Sequence, residues 1–247
     1  MTMLSRLTAV EAKLFLRDPA APVTVLGIPV ALLLVFGLMP GMNQPSDEFG
    51  GQVPLSAFIA PMSVAILLGM LALTLFPAVM AAHREKGVLR RLSASPVPPS
   101  RLLVAQLLVN LAAALVVVLV IVAGGHLALG VALPANAGGF VLVLVLGTLA
   151  LFGVGLLIAA LAPTARTAGG VGSAVFFPML ALGGVWVPKE DLPPVLQGLA
   201  DVLPLGATLN ALRETWTGGS PQPLQLAALA VFALVCAVVA ARVFRWS

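Results

Sequence analysis

Sixty-four consecutive residues, 102–165, contain no Asp, Glu, Lys or Arg. One membrane-spanning helix needs about 20 mostly apolar residues, so the run is too long for a single crossing. It is equally unsuited to a soluble core, because soluble domains carry roughly a quarter charged residues, whereas this chain of 247 residues carries 9% and is 60% hydrophobic, with mean hydropathy +1.11. Glycines and Pro134 in "GGHLALGVALPANAGG" interrupt the run, which therefore reads as a hairpin of two spanning helices.

The same length criterion applied to the whole chain gives six spans, at about 22–39, 55–80, 102–123, 138–161, 168–187 and 224–241. The expected fold class is all-α, a polytopic membrane protein. A membrane β-barrel would show alternating segments of about ten residues, which this sequence lacks. The expected organisation is a cytoplasmic amphipathic interfacial helix over 1–21 followed by a six-span domain over 22–247.

Orientation follows from lysine and arginine, which collect in cytoplasmic loops. With both termini in the cytoplasm, inner segments hold eleven of the 13 basic residues, leaving only Lys189 and Arg213 outside. The expected location is thus the inner (plasma) membrane. The N-terminal stretch carries charges every few residues and no apolar core of signal-peptide length. Trp186, Trp216 and Trp246 all fall near expected span ends, where interfacial tryptophans collect.

Two regions read as interfacial. Over 3–17, Met3, Leu7, Val10 and Leu14 form a helical apolar stripe beside Arg6, Lys13 and Arg17, and Asp18-Pro19 ends the helix. Ahead of the last span, Leu192, Val195, Leu196, Leu199 and Leu203 share one face, as do Leu209, Leu212 and Trp216. These predict two short outer helices at or dipping into the membrane boundary.

Several chemistries are missing. No lysine follows a glycine, so the phosphate-binding pattern G-x-x-x-x-G-K-[ST] cannot occur. Nucleic-acid binding does not fit basic residues scattered beside apolar runs without aromatic interleaving. The single cysteine, Cys236, cannot form an intrachain disulfide, and His83 and His126 fall on opposite sides of the membrane, so no metal site is expected. No catalytic residue is expected either. The spans hold no charged residue, which weakens an ion-coupled carrier or channel, the main alternative reading. A membrane-embedded lipid-modifying enzyme would need a polar cluster such as Lys189, Glu190 and Asp191, and those three read better as a helix start.

What polar groups remain are sparse. Gln106 and Asn110 stand at i, i+4 on one face of the third span, with Thr148 elsewhere. They serve either interhelical hydrogen bonds or a polar strip along a substrate path. Gly169, Gly172 and Ser173 leave a groove in which another helix, of this chain or of a dimer partner, can approach closely.

The segment "HREKGVLRRLSASPVPPSR" over 83–101 gathers five basic residues. Topology requires only charge, yet Val88, Leu89 and Leu92 also share a side, and "SPVPP" closes a turn. The pattern predicts a short amphipathic helix across the ends of the second and third spans. With "LFLRDPAAPVTVLGIPVALLLVFG" and "GGVWVPKEDLPPVLQGLADVLPLGATLNALRETW", this segment resembles the type-2 ABC transporter permeases, the ABC-2 membrane family, and in general form the small permeases of antibiotic-resistance and export pairs, the daunorubicin-resistance type among them.

That resemblance implies that 83–95 is a coupling helix touching an ATPase subunit, with Glu85 and Gly87 at its characteristic core and Arg84, Leu89, Arg90 and Arg91 around them. It implies a half-transporter: two permeases, identical or sister chains, with two ABC ATPase subunits. Cofactors would be absent from this chain, with ATP and Mg on the partner. The resemblance does not fix the substrate; a path lined by apolar residues with few polar ones offers no anchor for a highly charged solute, so the expected activity is outward movement of an amphipathic or lipid-like substrate, such as a drug, antibiotic or lipid-linked molecule.

Overall fold

The structure, a computed structural model, describes residues 3–17, 20–87, 100–185 and 192–243. Leu89, Arg90, Arg91, Trp186, Lys189, Glu190, Asp191 and Trp246 lie outside them. The described residues form helices and no strand: α1 (Met3–Arg17), α2 (Ala20–Gly37), α3 (Leu55–Glu85), α4 (Arg101–Leu129), α5 (Ala137–Leu161), α6 (Ala165–Leu182), α7 (Pro194–Val202), α8 (Pro204–Trp216) and α9 (Pro223–Val243).

Among the described residues, α3, α4, α5, α6 and α9 are long and apolar enough to cross a bilayer. The expected first span is α2, 18 residues long. At 1.5 Å per residue it reaches about 27 Å, close to the ~30 Å hydrocarbon core. The expected hairpin is present: α4 ends where Gly130 takes φ +70°, and Asn136 caps α5, its Oδ1 accepting from the Gly139 N–H at 2.9 Å. Helix α4 runs to Leu129, so the break is later than glycines 124 and 125 suggested.

Because most spans are apolar on every side, no amphipathic stripe orders them, and close packing of small residues does so instead. Helix α3 is the central one, with 72% of its apolar window buried against 22% for α6 and 28% for α9. It contains a π-helical turn, Met70–Leu75, directly before Pro77. Pro77 has no N–H to give the Leu73 carbonyl four residues earlier, and the π turn absorbs that lost bond. The carbonyls of Ala72 and Leu73 then meet glycines on two neighbours: a Cβ on Gly155 of α5 would stand 1.9 Å from the Ala72 oxygen, and one on Gly172 of α6 would stand 1.9 Å from the Leu73 oxygen. Only glycine fits at either place.

Helices α7 and α8 meet at 89° between α6 and α9. Helix α8 does dip inward: Leu205, Leu209, Leu212 and Trp216 are all buried. Trp216 differs from the expected interfacial tryptophan, being 3% exposed, set edge-on to Phe140 at 5.4 Å, with its Nε1–H donated to the Ala132 carbonyl at 2.6 Å. Burying α8 carries its last residue onto the start of α5.

In α1 and α7 the inward faces differ from the expected ones. On α1, Glu11 is 6% exposed while Val10 and Leu14 stand at 53% and 50%. On α7, Asp201 is buried and Val195 is 76% exposed. Each acid turns in to a side-chain amide, Glu11 to Gln106 and Asp201 to Gln225. An apolar stripe gains little by leaving lipid for protein, whereas a carboxylate must find a partner.

Candidate functional site

The end of α3 extends farther than the expected second span. His83, Arg84 and Glu85, expected to open a separate short helix, form the last turn of α3 itself. That turn persists because two of its side chains are anchored. Arg84 donates to the carbonyls of Ala160, at 3.3 Å, and Ala162, where the last carbonyls of α5 lack helical partners. Glu85 Oε2 accepts from the backbone N–H of Ala165, the first residue of α6, at 3.0 Å. A cation thus sits at a helix C-terminus and an anion at a helix N-terminus, each with the sign the peptide dipoles favour. The helix stops at Gly87, whose φ of +67° is the left-handed terminator and whose N–H bonds the Arg84 carbonyl at 3.0 Å.

One turn earlier, His83 faces a different neighbourhood. Its Nε2 lies 3.4 Å from Glu11 Oε2 and 3.3 Å from Gln106 Nε2, and Gln106 also donates to Glu11. Asn110 completes the group, its Nδ2 donating to the Gln106 carbonyl at 2.8 Å. These residues border a cavity of about 440 Å³ between α1, α3 and α4, together with Lys86, Phe15 and Val79. The sequence reading paired Gln106 with Asn110 and missed Glu11. The available signal was that Glu11 is the sole acid on a helix whose other charges are all basic.

Thr148 is not part of this group. It lines a nearly apolar cavity of about 260 Å³ with Leu68, Leu111 and Leu144, deeper in the bundle. The glycine groove on α6 also divides. Gly172 packs against α3 of the same chain, Gly169 has open space where a Cβ would stand, and Ser173 is half-buried.

A second polar cluster occupies the opposite end. The Arg213 guanidinium lies 5.3 Å from the Phe58 ring centre and donates to the Gly184 carbonyl at 2.9 Å, while Glu214 accepts from Gln222 at 2.8 Å. Phe58 and His83 are separated along α3 by about 37 Å, more than the ~30 Å hydrocarbon core, so one polar cluster lies at each membrane face. No group of three or more His, Cys, Asp or Glu among the described residues is placed to hold a metal.

Fold and clusters together define an all-α, multi-pass membrane protein whose long central helix is fastened to its neighbours at one membrane face. The chain belongs to the ABC-2 type transporter family, whose model matches residues 2–216. The match takes in α1 to α8 and ends at Trp216, so α9 lies beyond it. The chain is therefore a membrane subunit of an ABC transporter, a family that works with ABC ATPases, and it has no nucleotide-binding motif of its own. No curated protein sequence matches it closely enough to report.

Proposed function

We propose that this chain is the permease half of an ATP-driven exporter that moves an amphipathic or lipid-like molecule outward, with ATP and Mg held by a separate ATPase subunit. The observation that carries this reading is the double anchor at Arg84 and Glu85. A displacement applied to the chain just after Gly87 reaches the ends of α3, α5 and α6 together through those bonds. That is what a coupling segment requires, and 84–91 is where the ATPase docks in this reading, with both termini cytoplasmic. A second copy, or a sister permease, meets the open face of α6 at Gly169 and Ser173, where a helix can approach closely. Closure of the two ATPases on ATP drives a rigid-body change in the paired bundles.

The test is co-purification of the full chain with its ATPase subunit in detergent, wild type against a double variant Glu85→Arg, Arg91→Glu. A complex formed by wild type and lost in the variant supports the reading. Equal recovery of the ATPase with both proteins refutes the docking site.

A further inference from the structure

The cavity bounded by Glu11, His83, Lys86, Gln106 and Asn110 has a chemical specification. Asn110 is 2% exposed, and both hydrogen bonds of its amide nitrogen run back to Gln106, to the main-chain carbonyl at 2.8 Å and to Oε1 at 3.4 Å. Those bonds fix the amide, and Oδ1 is left buried with no partner. A buried acceptor without a donor has lost its hydration with nothing in return, so such an atom marks a place where a donor belongs. Glu11 supplies negative charge to the same cavity, bonded to Gln106, while Lys86, an exposed residue, sets a cation at its rim. Charge therefore changes sign from the inner part of the site to its edge.

On the far side of Phe15 lies a second space of about 350 Å³, lined almost entirely by carbon from Ala12, Leu16, Leu108, Ala112 and Val116. Phe15 borders both spaces, so a head and a tail can be held on either side of one ring. The polar volume alone lies within the ~300–1,000 Å³ usual for small-molecule sites.

We infer that these two spaces form one binding site for a zwitterionic lipid-like amphiphile: an ammonium that donates to Asn110 Oδ1 beside the Glu11 carboxylate, a phosphate at Lys86, and a single hydrocarbon tail along α1 and α4. A primary ammonium is specified because a trimethylated one has no N–H for Asn110. The inference rests on the exporter reading only in treating this ligand as cargo; binding itself is a property of this chain.

The experiment is native mass spectrometry of the full chain in a neutral detergent, titrated with oleoyl-lysophosphatidylethanolamine and, separately, oleoyl-lysophosphatidylcholine. Wild type binds the ethanolamine lipid at least tenfold more tightly. Asn110→Leu removes that preference, and Lys86→Met, at an exposed position that does not bear on folding, weakens the ethanolamine lipid several-fold. Equal binding of the two lipids by wild type, or unchanged binding in Lys86→Met together with a folded Asn110→Leu, overturns the site. Because no ATPase is present, that failure leaves the exporter reading standing; equal recovery of the ATPase with wild type and the Glu85→Arg, Arg91→Glu variant, with the lipid preference intact, does the reverse.

Discussion

Glu85 accepts a hydrogen bond from the backbone N–H of Ala165 at 3.0 Å, joining the last residue of α3 to the first of α6 across 80 positions of sequence. The bond occupies one of the N–H groups that a helix start leaves unpaired, and places a carboxylate where the peptide dipoles favour it. Replacing Glu85 by Ala lowers stability by about 1 kcal/mol. Glu85→Gln, which retains an acceptor without the charge, costs less. Thermal unfolding of the two variants in the same detergent checks that order.

Gly87 has a positive φ of +67°, and among the described residues no atom lies within 4 Å of where a Cβ would stand. Its substitution is opposed by backbone conformation. Gly87→Ala costs about 1 kcal/mol and Gly87→Asn less, since asparagine visits the left-handed region more readily. A β-branched residue such as Val costs the most. Melting temperatures in the sequence Gly, Asn, Ala, Val should fall in that order.

At Gly155 and Gly172 the opposite cause applies, because backbone oxygens of α3 occupy the space. Gly155→Ala and Gly172→Ala each destabilise by about 1–3 kcal/mol or prevent assembly of the bundle. Gly169→Ala, with no described atom of this chain within 4 Å of the added Cβ, leaves the packing within the single bundle undisturbed. Size-exclusion profiles of heated membrane extracts separate the three variants.

Glu11 and Gln106 are partners, so their substitutions are not additive. Glu11→Leu strands the Gln106 amide and costs about 1–3 kcal/mol. Adding Gln106→Leu to that variant costs less than Gln106→Leu alone. A double-mutant cycle on unfolding free energies reads the difference.

The spans were legible in the sequence because their cause is one-dimensional: charge-free length. The helical hairpin around Pro134 was legible for the same reason, as was the pair of short helices before the last span. Which face of each helix turns inward was not. The apolar stripe through Val10 and Leu14 points out and Glu11 points in, since hydrophobicity orders faces only where the alternative is water. Trp216 looked like a boundary residue because its sequence distance from a span was small, while its burial depends on the 89° bend before α8. Of the expected coupling residues, Arg84, Glu85 and Gly87 have described positions, and the bonds of Arg84 and Glu85 to the α5–α6 turn could not be inferred from residues about 80 apart.

Helix lengths in this bundle are unequal. Helix α3 has 31 residues and α4 has 29, beside 18 in α2 and in α6. A bilayer matched to the short helices is about 27 Å thick in its hydrocarbon, whereas α3 measures about 46 Å end to end. The long pair either stands out beyond the lipid or leans within it, and the balance shifts with acyl-chain length at a fraction of a kcal/mol per Å. Membrane thickness thereby becomes a mechanical input felt at the two ends of α3, one of which holds Arg84 and Glu85.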